Sequence, residues 1–166
     1  MGCGKTNIGK ILSLLTNLNF FDLDNIINNL FKIDIKILLN KYGEYKFRIL
    51  EKKILNFFLK KEKNKSFILS VGGGTPCFLN NIYIMNNIAQ TIYLKTDIFT
   101  LYNRLIIDNK NRPLLKKYIF KKKLFFFIKK HIKKRENFYK KSKYIIKTKN
   151  MSFKQIALYI KEKFKV

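Results

Sequence analysis

The chain has 166 residues, a hydrophobic content of 47% and a formal net charge of +26, from 36 Lys and Arg against 10 Asp and Glu. This length fits one domain, residues 1–166, and no apolar run is long enough for a membrane span. The first residues are glycine-rich and polar, so we expect no signal peptide. The two cysteines, Cys3 and Cys77, form no zinc-binding or disulfide pattern, so we expect a cytoplasmic protein.

The first element is a glycine-rich turn, Gly2-Cys3-Gly4-Lys5-Thr6-Asn7, followed by a helix predicted over residues 6–18. It matches the second half of a phosphate-binding P-loop, in which backbone N–H groups surround a phosphate. In that pattern the lysine reaches the outer phosphates and the hydroxyl residue binds Mg²⁺, while the helix directs its positive end at the same anion. The start of the chain therefore predicts a nucleotide phosphate site.

The next strand, residues 19–22, ends in Asp22-Leu23-Asp24. If the strand alternation continues, both acids point the same way. One could then bind Mg²⁺ through water while the other accepts a proton from a substrate hydroxyl. The alternative is that Asp24 caps a helix and Asp22 is a loop acid.

Short helices over residues 24–31 and 34–42 end at Gly43, and a longer helix covers 44–61. This longer helix carries Arg48 and Glu51, which are three residues apart and therefore able to pair on one face. On these two residues alone, a surface ion pair is the favoured interpretation.

A strand of buried type is predicted at 66–71 and is followed directly by Gly72-Gly73-Gly74. These glycines would let the backbone approach a ligand closely. The alternative is that the triplet forms a plain tight turn. The remaining elements predicted are helices at 80–87 and 97–107, a Lys-rich helix ending near 142, a C-terminal helix capped by Ser152, and strands at 90–94 and 144–147.

A polar segment near residues 109–123 carries Arg112-Pro113-Leu114-Leu115 and has the composition of a mobile lid. Arg135 follows on the Lys-rich helix, with Tyr139 nearby, and solvated charge is the alternative there. His131 has no catalytic partner pattern, so we assign it to a half-buried helix face.

Strands that alternate with helices predict an α/β fold, a parallel sheet covered by helices on both faces, with ligands at the carboxyl ends of the strands. The basic charge alone would indicate a nucleic-acid partner. However, only four of the 36 cations are arginine, and Lys, Asn, Ile and Phe are frequent throughout, as an AT-rich genome produces. We therefore expect no nucleic-acid partner, and we interpret the four arginines as sites that need a planar fork for carboxylate or phosphate.

Taken in order, these motifs resemble the shikimate kinase family, small P-loop kinases of the nucleoside-monophosphate-kinase type. The resemblance covers essentially the whole chain and rests on the P-loop half with Ile8-Gly9-Lys10, Phe21-Asp22-Leu23-Asp24, Gly43-Glu44 with Phe47-Arg48 and Glu51, the three glycines, Arg112-Pro113-Leu114-Leu115, and Arg135 with Tyr139. A related kinase, such as one for gluconate, and a basic nucleic-acid-binding P-loop protein remain the alternatives.

The resemblance implies a three-layer α/β/α kinase with ATP and Mg²⁺ as cofactors, shikimate as substrate, acceptor-binding helices near residues 24–61, and a monomeric state. It implies that the ATP phosphates are bound by the P-loop residues through Asn7 and by Arg112, and that Mg²⁺ is bound by Thr6 and, through water, by Asp22. Lys5, Asp24 and Arg112 would be catalytic, Asp24 as the base. The acceptor would be bound by Asp24, Arg48, Gly72, Gly73, Gly74 and Arg135, with Glu51 orienting Arg48. Arg104 or a neighbour is expected near the adenine.

The chain departs from the family in two respects. The basic segment between Arg112 and Arg135 is longer, so lid closure is expected to differ. The family also has a hydrophobic strand and a further glycine before Gly2, and that strand would be central in the sheet. Its loss would leave unpaired backbone groups on both neighbouring strands. We therefore expect Met1 to be an internal methionine with the natural start upstream.

Overall fold

Seven α-helices and four strands alternate along residues 2–107 and 121–166, the part of the chain that the computed structural model describes. The helices are α1 Lys5–Thr16, α2 Leu23–Phe31, α3 Ile35–Lys61, α4 Asn81–Ile88, α5 Ile98–Ile107, α6 Lys121–Tyr139 and α7 Phe153–Phe164. The strands are β1 Asn19–Asp22, β2 Phe67–Ser70, β3 Ile92–Lys95 and β4 Tyr144–Lys147, and a 3₁₀ turn covers Thr75–Cys77. None of the helices in these two ranges is long and apolar enough to cross a lipid bilayer.

The strands form two parallel pairs. β1 pairs with β2, from Asn19 opposite Phe67 to Asp22 opposite Ser70, and β3 pairs with β4 from Ile92 opposite Tyr144 onward. Within the described ranges, β2 and β3 each pair on one side only, and a groove of about 460 Å³ lies between them. The predicted parallel α/β architecture is confirmed, and the groove lies where we expected a central strand.

Helices cover both faces of these strands. Side chains alternate along β2, so Phe67 and Leu69 pack into a core with α2, α3 and α4, while Ile68 packs on the opposite face against α1 and α7. A third apolar cluster joins α5 to α6. The resulting order of helices, strands and helices is the three-layer arrangement expected of this pattern.

Helix ends follow the local sequence signals. Gly43 interrupts α3 with φ 78° and ψ 164°, which confirms the predicted break and separates the segment carrying Arg48 from the one before it. Ser152 and Gln155 form a reciprocal capping box at the start of α7, which confirms the predicted cap. The 3₁₀ turn was not predicted from the sequence.

Candidate active site

The P-loop residues form a tight turn at the positive end of α1. Gly4 precedes the helix with φ 88°, a left-handed conformation that favours glycine, and a Cβ there would overlap the ring of Phe153. Lys5 opens the helix, and Asn7 is exposed in its first turn. The hydroxyl of Thr6 donates to Oδ2 of Asp22 at 2.9 Å. The turn, the helix end and this oxygen pair therefore lie next to one another.

Asp22 ends β1 and also caps α2. Its Oδ1 accepts a hydrogen bond from the backbone N–H of Asp24 at 3.1 Å, while its Oδ2 faces Thr6. The helix begins at Leu23, so Asp24 lies in the first helical turn and the expected strand alternation does not extend to it, although the charge of Asp22 still acts on Asp24. The alternative in which Asp24 is the cap is wrong, because Asp22 has that role.

Asp24 has a raised pKa. Asp24 as a residue is exposed, but its carboxyl is partly withdrawn from water, which is the main cause, and the negative charges of Asp22 and Glu51 raise the pKa further. The positive charges of Lys5 and Arg48 act in the opposite direction. All four groups are therefore close enough to influence one carboxyl, which places the P-loop lysine and the helix α3 arginine around the same cleft.

Arg48 and Glu51 form an ion pair inside the protein. Nη1 of Arg48 donates to Oε2 of Glu51 at 2.7 Å, and the side chain of Glu51 is only 1% exposed. A second pair, from Arg48 to Glu44 at 3.6 Å, is on the surface. The interpretation of the first pair as a surface ion pair is wrong, because a partner from outside the helix covers Glu51. That partner is Thr75, whose Oγ1 donates to Oε1 of Glu51 at 2.8 Å.

The glycines after β2 leave room for these side chains. A Cβ on Gly72 would be 3.2 Å from Oγ1 of Thr75, 3.4 Å from Oε1 of Glu51 and 3.5 Å from Oδ1 of Asp24. A Cβ on Gly74 would overlap the guanidinium of Arg48. The triplet is therefore more than a plain turn, since its missing side chains make space for the acids and the arginine.

Helix α6 contributes the other arginine. Tyr139 donates from its hydroxyl to the carbonyl of Gly73 at 2.7 Å, which ties α6 to the glycine loop. Burial raises the pKa of the Cys77 thiol, and the charges of Arg135 and Arg48 both lower it. The two arginines therefore approach one point beside the 3₁₀ turn, although they belong to helices far apart in the sequence.

The other residues singled out from the sequence have the following places. Arg112 and nearly all of the predicted lid lie outside the described residues. Arg104 donates to the carbonyl of Cys3 at 3.4 Å, so it contacts the P-loop backbone. His131 stacks on Phe127 with ring centroids 5.3 Å apart, and burial lowers its pKa to about 4, which agrees with a half-buried helix face.

Two residues of the site were missed by sequence reasoning. Thr75 follows the glycine triplet directly and could have been noticed as a hydroxyl beside a close backbone approach. Tyr139 was noted only as a neighbour, although its place four residues after Arg135 puts both on one face of α6.

The oxygen atoms beside the P-loop fit a magnesium ion. Thr6 and Asp22 supply a hydroxyl and a carboxylate, the hard donors that Mg²⁺ prefers. The described residues contain no cluster of three or more His, Cys, Asp or Glu side chains suited to a metal ion. Mg²⁺ usually keeps several waters and is bound by one or two carboxylates together with substrate phosphates.

Comparison with known proteins agrees with this geometry. The family model described as Shikimate kinase matches residues 1–165. A shikimate kinase of Azobacteroides pseudotrichonymphae genomovar. CFP2 is 47% identical over 116 residues, 70% of this chain and 67% of that protein. One from Flavobacterium johnsoniae is 40% identical over 69% of this chain and 66% of its own length. These alignments thus span about two thirds of the length of the curated relatives.

Solved structures match over the whole chain. The crystal structure of shikimate kinase from Bacteroides thetaiotaomicron has a TM-score of 0.90 and 30% identity, and the match covers 100% of this chain and 94% of that one. The shikimate kinase of Acinetobacter baumannii in complex with shikimate has a TM-score of 0.85 and 28% identity, over 99% and 88% of the two chains. The fold expected from the sequence is therefore confirmed.

Proposed function

The chain belongs to the shikimate kinase family, ATP-dependent kinases that act on a hydroxyl of shikimate, and from this premise we propose that its cleft transfers the γ-phosphoryl group of ATP to the 3-hydroxyl of shikimate. The product is shikimate 3-phosphate, on the route to chorismate and the aromatic amino acids. One observation carries the assignment of residues: a Cβ on Gly72 would be within 3.5 Å of carboxylate oxygens of both Asp24 and Glu51, and Glu51 in turn binds Arg48 at 2.7 Å.

On the nucleotide side, we propose that the P-loop amides and Lys5 bind the ATP phosphates. Thr6 and Asp22 are the residues that would hold Mg²⁺, Asp22 through water. When bound, the ion neutralises phosphate charge and so assists transfer. Arg112 is proposed, from the family resemblance, to close over the phosphoryl group and exclude water.

On the acceptor side, we propose that Arg48 and Arg135 bind the shikimate carboxylate. Both approach Cys77 beside the glycine loop, and a planar guanidinium can bind a carboxylate through two parallel hydrogen bonds. Glu51 binds Nη1 of Arg48 at 2.7 Å, whereas Nη2 has the longer surface contact with Glu44 at 3.6 Å, and we propose that the acceptor binds at Nη2. Gly72, Gly73 and Gly74 line the pocket.

We propose that Asp24 accepts the proton of the shikimate hydroxyl as the phosphoryl group is transferred. An ionised carboxyl whose pKa is raised binds a proton more strongly than an ordinary aspartate does. Because the ionised form is required, kcat/KM for shikimate should fall as the pH decreases through the pKa of Asp24. The acid limb should therefore lie above 3.8, the ordinary value for aspartate, and an acid limb below it would contradict the assignment.

A coupled ADP-release assay tests the function, with shikimate as acceptor and gluconate as the competing acceptor. We expect turnover with shikimate and none with gluconate. Asp24→Asn should abolish the turnover of shikimate. Arg135→Ala should raise the KM for shikimate and leave the KM for ATP unchanged. A protein that turns over gluconate but not shikimate would refute the acceptor. Salt-sensitive RNA binding that survives both substitutions, without turnover, would instead support a nucleic-acid-binding P-loop protein.

We further propose that the enzyme is a monomer located in the cytoplasm and that nucleic acid is not its partner. Three carboxylates lie at the cleft in a chain with 10 acidic residues, and carboxylates oppose a polyanion. Light scattering at several protein concentrations would test the monomer, because a mass that rises with concentration would contradict it.

A further inference from the structure

Thr75 is held rigidly at the end of the glycine loop. It is completely buried, its backbone N–H donates to the carbonyl of Gly72 at 3.1 Å, and its own carbonyl accepts from Nδ2 of Asn81 at 3.0 Å. These bonds fix the backbone on both sides of the residue. The direction of the side-chain hydroxyl is therefore set by the fold and not by the substrate.

That hydroxyl is one end of a chain of hydrogen bonds that leads through Glu51 to Arg48, the arginine proposed to bind the acceptor. Thr75 donates to one oxygen of Glu51 at 2.8 Å, and the other oxygen of Glu51 accepts from Arg48 at 2.7 Å. Each carboxylate oxygen thus has its own donor, one from the glycine loop and one from the same helix. Without the first bond, rotation of the buried carboxylate would also move the guanidinium.

We propose that Thr75 is a positioning residue for the phosphoryl acceptor: its hydroxyl fixes the carboxylate of Glu51, which in turn holds the guanidinium of Arg48 in place for the acceptor's carboxylate. This role rests on the proposed function, since it takes the anion at Arg48 to be the shikimate carboxylate. Thr75 itself need not touch the substrate.

Two substitutions separate the hydroxyl from the shape of the side chain. Thr75→Val keeps the branched shape and removes the donor, whereas Thr75→Ser keeps the donor and removes a methyl group. We expect Thr75→Val to raise the KM for shikimate by about tenfold, the effect of one lost hydrogen bond to a buried charge, with the KM for ATP unchanged. Thr75→Ser should restore the KM for shikimate.

Thr91→Val is the matched control. Thr91 accepts from the backbone N–H of Lys143 and donates to Asn86, beside the start of β3 and at the end of the strands opposite the cleft. Its substitution should lower the thermal unfolding midpoint without changing the KM for shikimate. An unchanged KM for shikimate in Thr75→Val, or equal impairment in Thr75→Ser, would overturn the proposal.

A readout that does not depend on turnover distinguishes this proposal from the proposed function. The Nε–H resonance of Arg48 in a ¹⁵N spectrum can be assigned by its loss in Arg48→Lys. It should shift in Thr75→Val and remain in place in Thr75→Ser and Thr91→Val. If the unsubstituted protein fails to phosphorylate shikimate, the proposed function fails, yet this spectrum still decides whether Thr75 positions Arg48.

Discussion

Replacing Glu51 with glutamine should destabilise the protein strongly, because it removes one partner of a buried ion pair and leaves the other charged. Glu51 is 1% exposed and Arg48 is 16% exposed. Breaking a buried pair in this way costs about 3–5 kcal/mol. Arg48 keeps its contact with Glu44 at 3.6 Å, so we expect the lower end of this range, about 3 kcal/mol.

Thermal and urea unfolding, followed by circular dichroism, measure this loss. For a chain of this size, 1 kcal/mol corresponds to about 2–4 °C, so Glu51→Gln should lower the unfolding midpoint by about 6–12 °C. Glu44→Gln is the matched control, because Glu44 is 68% exposed and its pair with Arg48 is on the surface. Its effect should stay within about 1 kcal/mol.

A second measurement on the same variant separates the charge from the packing. The negative charge of Glu51 contributes to the raised pKa of Asp24, so its removal should lower that pKa. Any residual activity of Glu51→Gln should therefore persist to lower pH than that of the unsubstituted protein.

An unfolding midpoint of Glu51→Gln within a degree of that of the unsubstituted protein, or an equal loss of stability in Glu44→Gln, would refute the reasoning about burial.

Two further substitutions probe the glycine loop. In steady-state kinetics, Gly74→Ala should raise the KM for shikimate and leave the KM for ATP unchanged. The backbone φ of −88° at this position suits alanine, but the new Cβ displaces the guanidinium of Arg48. A rise in both KM values would point to a general distortion. Tyr139→Phe removes the 2.7 Å bond to Gly73 and should cost about 1 kcal/mol in urea unfolding and raise the KM for shikimate. The exposed Tyr159→Phe should change neither quantity, and equal effects in the two variants would argue against the bond.

The parts of the site that lie within one local pattern could be predicted from the sequence. The P-loop is such a pattern, since the glycines, the lysine and the hydroxyl follow each other at the start of one helix. The sequence signals for the four strands and for the break at Gly43 are also local, because they depend on short apolar runs and on the backbone conformation that glycine allows. Predictions of this kind need no knowledge of what packs against them.

Burial of the ion pair could not be predicted in the same way. The spacing of Arg48 and Glu51 predicts that they pair, but their environment depends on Thr75, 24 residues further along the chain. No residue pattern within helix α3 predicts that partner. The error at Asp22 and Asp24 has a related cause: the helix begins immediately after the strand, so an alternation that holds inside a strand no longer applies at its end.

Charge at the cleft is more balanced than the net charge of the whole chain. The chain as a whole carries +26, yet Lys5, Arg48 and Arg135 are accompanied at the site by Asp22, Asp24 and Glu51. Bulk lysine charge attracts any anion and is screened by salt. Recognition of a particular acceptor needs arginines held in fixed orientations, and the buried carboxylate of Glu51 holds one of them. Added salt should therefore weaken nonspecific anion binding at the surface far more than shikimate binding in the cleft.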